Sequence, residues 1–191
     1  MNTRLLAAAV LGTLFTLPAV AAPVVYTIDP THAQVQFTYS HFGYSNITGR
    51  FDRLEGTITY DPSNVTASSV EVKVDTASVS TGVPKLDQHL QADDFLDVAK
   101  FAEATFKSTK VEEAGTGKLK VTGDLTIHGV TLPTTFDVTV NTVSEHPMKK
   151  KPAAGFDAVG TIDRTKFGIE QYAQATGNDV KLSITAEALA E

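Results

Sequence analysis

Cysteine and tryptophan are both absent from this chain of 191 residues. Without cysteine there can be no disulfide bond, no thiol nucleophile and no lipid-modified cysteine anchor, so stability has to come from packing. The lack of tryptophan argues against an outer-membrane barrel, because such barrels carry aromatic girdles at both membrane interfaces. Beyond residue 22 no apolar run approaches the roughly 20 residues of a membrane-spanning helix. The sequence therefore predicts a soluble protein without covalent cross-links.

Positive charge is also scarce. The chain has 16 lysine and arginine residues against 22 aspartate and glutamate residues, which gives a formal net charge of −6 at pH 7. Such a surface repels phosphate backbones, and the dense basic run at residues 149–151 is typical of a solvated loop. We therefore expect no nucleic-acid partner.

Common catalytic motifs are missing as well. The metalloprotease pattern HExxH, the hydrolase pattern GxSxG and the phosphate-binding P-loop do not occur. His89 with Asp93 or Asp97 keeps a metal-assisted hydrolase or isomerase open as an alternative, because residues four apart share a helix face. Two such ligands do not complete a metal site, so we predict no catalytic residue, no metal and no cofactor.

The first residues have the features of a secretory signal peptide. Arg4 precedes an apolar run at residues 5–17, and the small Ala19 and Ala21 fit the positions that a signal peptidase reads. The apolar run is shorter than a membrane-spanning helix. We expect cleavage after Ala21, export from the cytoplasm and one domain over residues 22–191.

Alternation of apolar and polar residues dominates the remaining sequence. It appears in segments 33–39, 70–74, 104–106, 119–127, 136–140, 156–162 and 180–186. Each segment is typical of a strand with one buried face, and the turn residues between segments indicate short connections and antiparallel pairing. About eight such strands indicate an all-β fold, an antiparallel barrel, with a β-sandwich as the main alternative.

One helix is predicted at residues 84–92. It begins at Pro84, a favoured first helical position, and carries Leu86 and Leu90 on one face. We expect it to lie across the barrel as a cap. Residues 95–100 are predicted to form a second short helix or an irregular lid.

Two features of the strands bear on the interior. Between residues 47 and 60 the apolar phase slips by one residue, which predicts a β-bulge inside a continuous strand. Gly49, Gly56, Gly123 and Gly160 fall in the inward phase of their strands. Glycines in that phase either remove side-chain volume from the interior or let barrel strands coil tightly.

A hollow interior would have oily walls. The inward strand positions that would line it and contact a ligand are Phe37, Tyr39, Phe51, Ile58, Tyr60, Phe106, Leu125, Phe136, Phe156 and Ile162. The candidate lid residues are Leu86, Leu90, Phe95 and Phe167. Asp163 and Arg164, at a strand end, either contact the head group of a ligand or have a structural role, as an ion pair or a turn feature. If the barrel is instead fully packed, the alternative is an interaction module whose lid docks a membrane redox protein.

The order of many short motifs resembles that of the YceI family of exported lipid-binding proteins. The motifs are the segments 26–32 (YTIDPTH), 35–37 (VQF), 41–45 (HFGYS), 49–51 (GRF), 86–90 (LDQHL), 94–97 (DFLD), 106–108 (FKS), 125–131 (LTIHGVT), 162–164 (IDR) and 167–168 (FG). No single motif is specific, but together they extend over nearly all of residues 22–191.

This resemblance implies a lipocalin-like antiparallel barrel with an elongated apolar cavity that holds a polyisoprenoid or similar long-chain amphiphile. It also implies a periplasmic location, often a homodimer, and a role in isoprenoid quinone metabolism, lipid transport, storage or stress response. The family offers no catalytic residue to carry over. Leu96 and Ala102 depart from the family pattern, which usually has phenylalanine and proline there. The first departure changes a lid contact and with it the expected chain length of the ligand.

Overall fold

The structure is a computed structural model that describes residues 23–190. The predicted signal peptide, residues 1–21, lies outside the described residues and stays a prediction. Within the described range, no helix combines the length and the apolar character that a membrane crossing requires.

Ten strands make up most of the described chain, and every strand pairs with its neighbours in antiparallel orientation. They are β1 (Val24–His41), β2 (Ser45–Phe51), β3 (Leu54–Tyr60), β4 (Ser69–Asp75), β5 (Val79–Ser80), β6 (Glu103–Glu113), β7 (Lys118–Ile127), β8 (Val130–Glu145), β9 (Pro152–Asp163) and β10 (Asp179–Ala190).

The sheet closes into a barrel because β1 pairs with β10 along most of its length. Going round from β1, the order is β3, β4, β6, β7, β8, β9 and β10, which gives eight strands in the closed ring. The short β2 and β5 extend this wall: β2 pairs with the second half of β1 and β5 pairs with β2. The predicted antiparallel barrel is confirmed, and the β-sandwich alternative is not the fold of these residues.

The phase slip between residues 47 and 60 arises differently from the prediction. The chain does not bulge within one strand but breaks at Asp52 and Arg53, so that β2 and β3 are separate strands beside the same β1. Ser78 fills the break, because its carbonyl accepts from the Asp52 amide at 3.1 Å and its hydroxyl accepts from the Arg53 amide at 3.1 Å. The break lets the wall bend while its backbone groups stay satisfied.

An irregular bulge of several residues lies instead in β1, opposite β10. The register shifts between Ile28 and Ala33, so that four residues of β1 stand out of the ladder near Glu187. Bulges of this kind increase local twist and help a sheet to close. Further shifts occur between β6 and β7 and between β8 and β9.

The predicted helix is confirmed as α1, Pro84–Gln91, with proline in its first turn. Residues 95–100 form turns rather than a second helix. The sequence did not indicate the short helix α2, at Ala173–Thr176, which follows β9 and the 3₁₀ turn Arg164–Phe167. Both helices lie near the same end of the barrel, since side chains from each line one cavity there.

Candidate functional site

The barrel is hollow in its middle. A cavity of about 180 Å³, which we call the inner chamber, is enclosed by inward side chains from most of the ring strands. Its lining is almost entirely aliphatic and aromatic: Ile28, Val35, Phe51, Leu54, Ile58, Tyr60, Val70, Val72, Val74, Ala104, Phe106, Val111, Leu119, Val121, Leu125, Phe136, Val138, Phe156, Ala158, Leu182, Ile184 and Ala186, with Ser68, Ser69 and Thr105.

A second cavity of about 260 Å³ lies between the barrel and its helices, and we call it the cap chamber. Its lining mixes apolar side chains with several polar ones: Phe37, Tyr39, His41, Phe42, Phe51, Val79, Leu86, His89, Leu90, Phe95, Leu96, Ile127, Ile162, Arg164, Ile169, Tyr172, Thr176, Val180 and Leu182. Phe42 and Tyr172 are half exposed, so they border this chamber and also reach solvent.

Phe51 and Leu182 line both chambers, and they therefore form the partition between them. The ring of Phe37 packs against that of Phe51 with a centroid separation of 5.6 Å, which thickens the partition on the cap side. Rotation of these side chains would join the two chambers into one elongated space. The interior thus consists of an apolar compartment beside a more polar one, with Phe51 and Leu182 between them.

The inward glycines serve a different purpose from leaving empty space. A β-carbon at Gly160 would lie 2.7 Å from the ring of Phe136. One at Gly123 would lie 2.7 Å from the ring of Phe106 and would also collide with the Lys107 carbonyl of β6, so this glycine additionally permits a close approach of two backbones. The same relation holds between Gly49 and Phe37, which are cross-strand partners. Each of these glycines therefore lets a neighbouring phenyl ring lie flat along the barrel wall.

Gly56 has another role. A β-carbon there would collide with the Glu71 carbonyl of the adjacent β4 strand, so this glycine permits a close approach of two backbones. That agrees with the interpretation that inward glycines let the strands coil. The hollow itself comes from the barrel geometry and not from missing side chains.

Thirteen of the fourteen residues predicted to contact a ligand line one of the two chambers. Phe51, Ile58, Tyr60, Phe106, Leu125, Phe136 and Phe156 line the inner chamber, while Phe37, Tyr39, Leu86, Leu90, Phe95 and Ile162 line the cap chamber. Phe167 lines neither of them. It is the last residue of the 3₁₀ turn that follows β9, and it is buried in a small core cluster with Leu125 and Ile162. Ligand contact itself stays a prediction for all fourteen.

Sequence reasoning missed the part of the cap chamber that comes from irregular chain. Ile169, Tyr172 and Thr176 lie between β9 and β10, and Phe42 lies in the turn between β1 and β2. None of these positions belongs to a periodic pattern, so no alternation marks them. The sequence did contain one signal for two of these positions: Phe42 and Tyr172 are aromatic residues in otherwise polar segments.

Arg164 is the cationic group of the cap chamber. Its residue is 8% exposed, and its guanidinium donates to the carbonyls of Gly177 and Ile169, each at 3.2 Å, and to the Thr176 hydroxyl at 2.9 Å. Burial lowers the pKa of Arg164 from its ordinary value, although an arginine remains charged at neutral pH. Burial likewise raises the pKa of Tyr39, which keeps that hydroxyl protonated.

The neighbouring Asp163 does not pair with Arg164. Its carboxylate accepts from the amide and the hydroxyl of Thr165, at 3.0 and 2.6 Å, and so starts the 3₁₀ turn. The Thr165 hydroxyl holds the pKa of Asp163 below its usual range. Of the two roles left open by the sequence, Asp163 therefore has the turn-forming one, and Arg164 is left facing the chamber.

The proposed metal pair of His89 and Asp93 is not the contact that forms. His89 lies 3.8 Å from the carboxylate of Asp94, and its ring packs edge-on against Phe95 with a centroid separation of 4.8 Å. His89 thus belongs to the aromatic lining of the cap chamber. The fully packed barrel of the interaction module also does not match the two chambers.

A polar cluster lies outside the chambers, at the bulge of β1. The side chains of Asp29, His32 and Glu187 bring three potential ligand atoms within 4.8 Å of one another. Lys149 already bonds Asp29 at 2.8 Å and holds the pKa of that carboxyl well below its usual range. His146 pairs with Glu187 at 3.1 Å. Because Lys149 supplies the positive charge, the cluster acts as an ionic clamp that ties loop 146–151 to the barrel.

Known proteins match this chain over nearly all of the described residues. The model of a family described as the YceI-like domain matches residues 26–188. A UPF0312 protein of Vibrio cholerae is 37% identical over 176 residues, which covers 91% of this chain and 93% of that protein. The match to the family model includes residues from every strand of the barrel.

Solved structures share the fold. BcnA of Burkholderia cenocepacia superposes with a TM-score of 0.77 at 24% identity and covers 84% of this chain and 99% of its own. A polyisoprenoid-binding domain of Saccharophagus degradans superposes with a TM-score of 0.66 at 18% identity and covers 88% of this chain and 99% of its own. At these identities the likeness establishes the architecture of the barrel.

Proposed function

This chain belongs to the YceI-like family, and from that premise we propose that it is an exported protein whose barrel encloses the hydrocarbon chain of a polyisoprenoid or similar long amphiphile. The observation that carries the proposal is the inner chamber, a cavity inside the barrel lined almost entirely by apolar side chains. The similar domain of Saccharophagus degradans is itself polyisoprenoid-binding, which supports this class of guest.

The size of the chambers suits a chain rather than a compact ligand. A dry apolar cavity of about 150 Å³ is known to accept benzene, and the inner chamber and the cap chamber hold about 180 and 260 Å³. By that scale the two chambers together accommodate a chain on the order of fifteen carbons. Burial contributes about 0.8 kcal/mol per CH₂, so a dozen buried carbons give roughly 10 kcal/mol before the cost of association.

The role that follows is carriage of an insoluble molecule through water. An isoprenoid chain, including that of an isoprenoid quinone, exposes apolar surface that the barrel removes from solvent. Export through a cleaved signal peptide would place this activity in the periplasm. Binding without chemical change fits the lining, since the hydroxyl groups of the inner chamber (Ser68, Ser69, Thr105 and Tyr60) have no histidine, carboxylate or lysine beside them among the described lining residues to activate them.

The direct test is to identify what the protein carries. Protein purified without detergent from its exported location would be extracted with organic solvent, and the extract analysed by mass spectrometry. We expect a long-chain isoprenoid or similar amphiphile in near-stoichiometric amount. Repeated absence of any such molecule, from protein that also fails to bind added polyprenols, would contradict the proposal.

A charged side chain in the lining of the inner chamber should reduce the amount of lipid that the protein retains. Phe136→Arg puts a guanidinium into the inner chamber, where Phe136 is 4% exposed, and an unpaired buried charge costs enough to reduce retention by about tenfold or more. Tyr44→Arg is the matched control, because Tyr44 lies in the β1–β2 turn and is 93% exposed. A folded Phe136→Arg protein with unaltered lipid content would show that guests do not use this wall.

A further inference from the structure

The cap chamber contains a buried cation with no carboxylate in direct contact with it. Arg164 appears in none of the ion pairs among residues 23–190, although it is 8% exposed. Its described partners are two carbonyls and one hydroxyl, all of them neutral. The adjacent Asp163 carboxylate favours the Arg164 cation only through space, without a hydrogen bond between them. Because burying a charge without a directly paired counter-charge is costly, an anion that reaches the guanidinium would bind favourably.

The hydrogen bonds of the Arg164 guanidinium do not use all of its N–H groups. Arginine has five N–H groups, and the three bonds to Gly177, Ile169 and Thr176 use one on each nitrogen. One N–H on each terminal nitrogen is therefore left, and the planar fork suits two oxygens of a single group. Tyr39, whose hydroxyl stays protonated, lines the same chamber and offers a further donor.

The two chambers differ in the chemistry that they offer a guest. The inner chamber has no charged side chain in its lining, whereas the cap chamber has Arg164 together with Tyr39 and two histidines. An amphiphile in this barrel therefore has one favourable direction. Its tail passes Phe51 and Leu182 into the inner chamber, and its head stays beneath α1.

We propose that the cap chamber is a head-group site, in which Arg164 binds an anionic oxygen head, a phosphate or a carboxylate, at the end of the enclosed chain. This inference rests on the proposed function, because it requires that a tail occupy the inner chamber. It adds that the guest is acidic and that it is held in one orientation.

Three ligands with the same C20 tail test the inference: geranylgeranyl phosphate, geranylgeranoic acid and geranylgeraniol. Their dissociation constants would be measured for the delipidated protein and for Arg164→Gln, Arg164→Lys and a control, Arg50→Gln. Arg50 pairs with Asp52 on the surface, and its side chain is 52% exposed. Circular dichroism and thermal unfolding would confirm that each variant is folded.

We expect the protein to bind the phosphate and the carboxylate about tenfold or more tightly than the alcohol, as one charge-assisted hydrogen bond would give. Arg164→Gln should remove that preference while affinity for the alcohol changes less than about twofold, Arg164→Lys should keep part of it, and Arg50→Gln should keep all of it. Equal losses for all three ligands would reduce Arg164 to a loop clamp and overturn the inference.

Two measurements on the unmodified protein keep the test independent of variant folding. Equal affinity for the three heads would overturn the head-group site and leave the proposed function standing, whereas no binding of any C20 ligand would overturn the proposed function itself. Inorganic phosphate alone should bind at least about a hundredfold more weakly than geranylgeranyl phosphate, because the tail supplies most of the burial. Comparable binding of inorganic phosphate would point to a free-anion site and contradict the inference.

Discussion

Replacing Gly160 with alanine is expected to push the ring of Phe136 into the inner chamber. The new β-carbon would lie 2.7 Å from Cδ1 and 2.9 Å from Cε1 of that ring, where ordinary van der Waals contact begins near 3.4 Å. The obstacle is the side of a phenyl ring and not backbone, so the ring can yield. Phe106 packs edge-on against Phe136 with a centroid separation of 5.2 Å, and Phe136 lines the inner chamber, so we expect the ring to move toward that space.

The size of the effect follows from the displacement. A shift of the ring edge by about 1 Å removes room for roughly one methylene, which is worth about 0.8 kcal/mol or fourfold in affinity. The overpacking should cost about 1–3 kcal/mol of unfolding free energy. Against this, alanine at a position where it fits gains about 0.4–1 kcal/mol by restricting the unfolded chain. We expect a net loss of stability near 1 kcal/mol.

Binding of geraniol, farnesol and geranylgeraniol to the delipidated protein would measure the chain-length profile, and urea unfolding would measure the stability. The control is Gly155→Ala, on the same strand, where the nearest atom to a new β-carbon is Asn141 Cβ at 3.8 Å. That substitution should leave binding unchanged and stability equal or higher. Gly160→Ala should lose affinity for the longest alcohol first and keep affinity for the shortest.

The reasoning would be refuted by a Gly160→Ala protein with the stability and the chain-length profile of Gly155→Ala. That result would mean that the Phe136 ring does not mark the wall of the space occupied by the guest.

Two further predictions concern the frame of the barrel. Lys149→Met should lower the unfolding free energy by roughly 0.5–1 kcal/mol at pH 7, because Lys149 is the main cause of the lowered pKa of Asp29. A lowered carboxyl pKa stabilises the folded state above the unfolded value near 3.9 and ceases to do so as the pH falls through the folded value. The difference between the two proteins in urea should therefore be constant above about pH 5 and shrink steadily as the pH falls below the unfolded value, since the folded pKa of Asp29 lies well under it. Lys150→Met, whose side chain is 69% exposed, is the control, and a difference that stays undiminished below about pH 3 would contradict this. Thr76→Val should cost about 1–2 kcal/mol, because Thr76 is 2% exposed and its hydroxyl donates to the Phe101 carbonyl at 2.7 Å. Urea unfolding checks this prediction, and a change below about 0.3 kcal/mol would show that the bond adds nothing to stability.

The strands and their inward faces could be predicted because a half-buried strand has a period of two. In β7, Leu119, Val121 and Leu125 alternate with polar residues, and all three are buried on the barrel interior. His128 and Gly129 are turn residues between two strands, β7 and β8, and both have the positive φ that a tight hairpin requires. Patterns of this kind could be read from the sequence because neighbouring residues alone determine the local backbone conformation.

The cap chamber could not be predicted in the same way. Tyr172 has a φ of 54° at the start of α2, and the segment around it packs by tertiary contact and not by any repeating pattern. The break between β2 and β3 was visible only as a phase slip, since a bulge and a break shift the side chains alike. Whether the inward glycines held empty space or flat rings depended on cross-strand partners such as Gly49 and Phe37, which the sequence does not pair.

The pairing of β1 with β10 has a consequence for how the barrel folds. Tyr26 faces Ala190, so the first and last strands of the ring meet only when the whole polypeptide is present. In a nascent or truncated chain without β10, the sheet would have two unpaired edges and its apolar inner face would be exposed to water. Such a sheet is prone to aggregation. Contacts so distant in sequence form slowly. The closed barrel therefore forms only once β10 has been synthesised and has paired with β1.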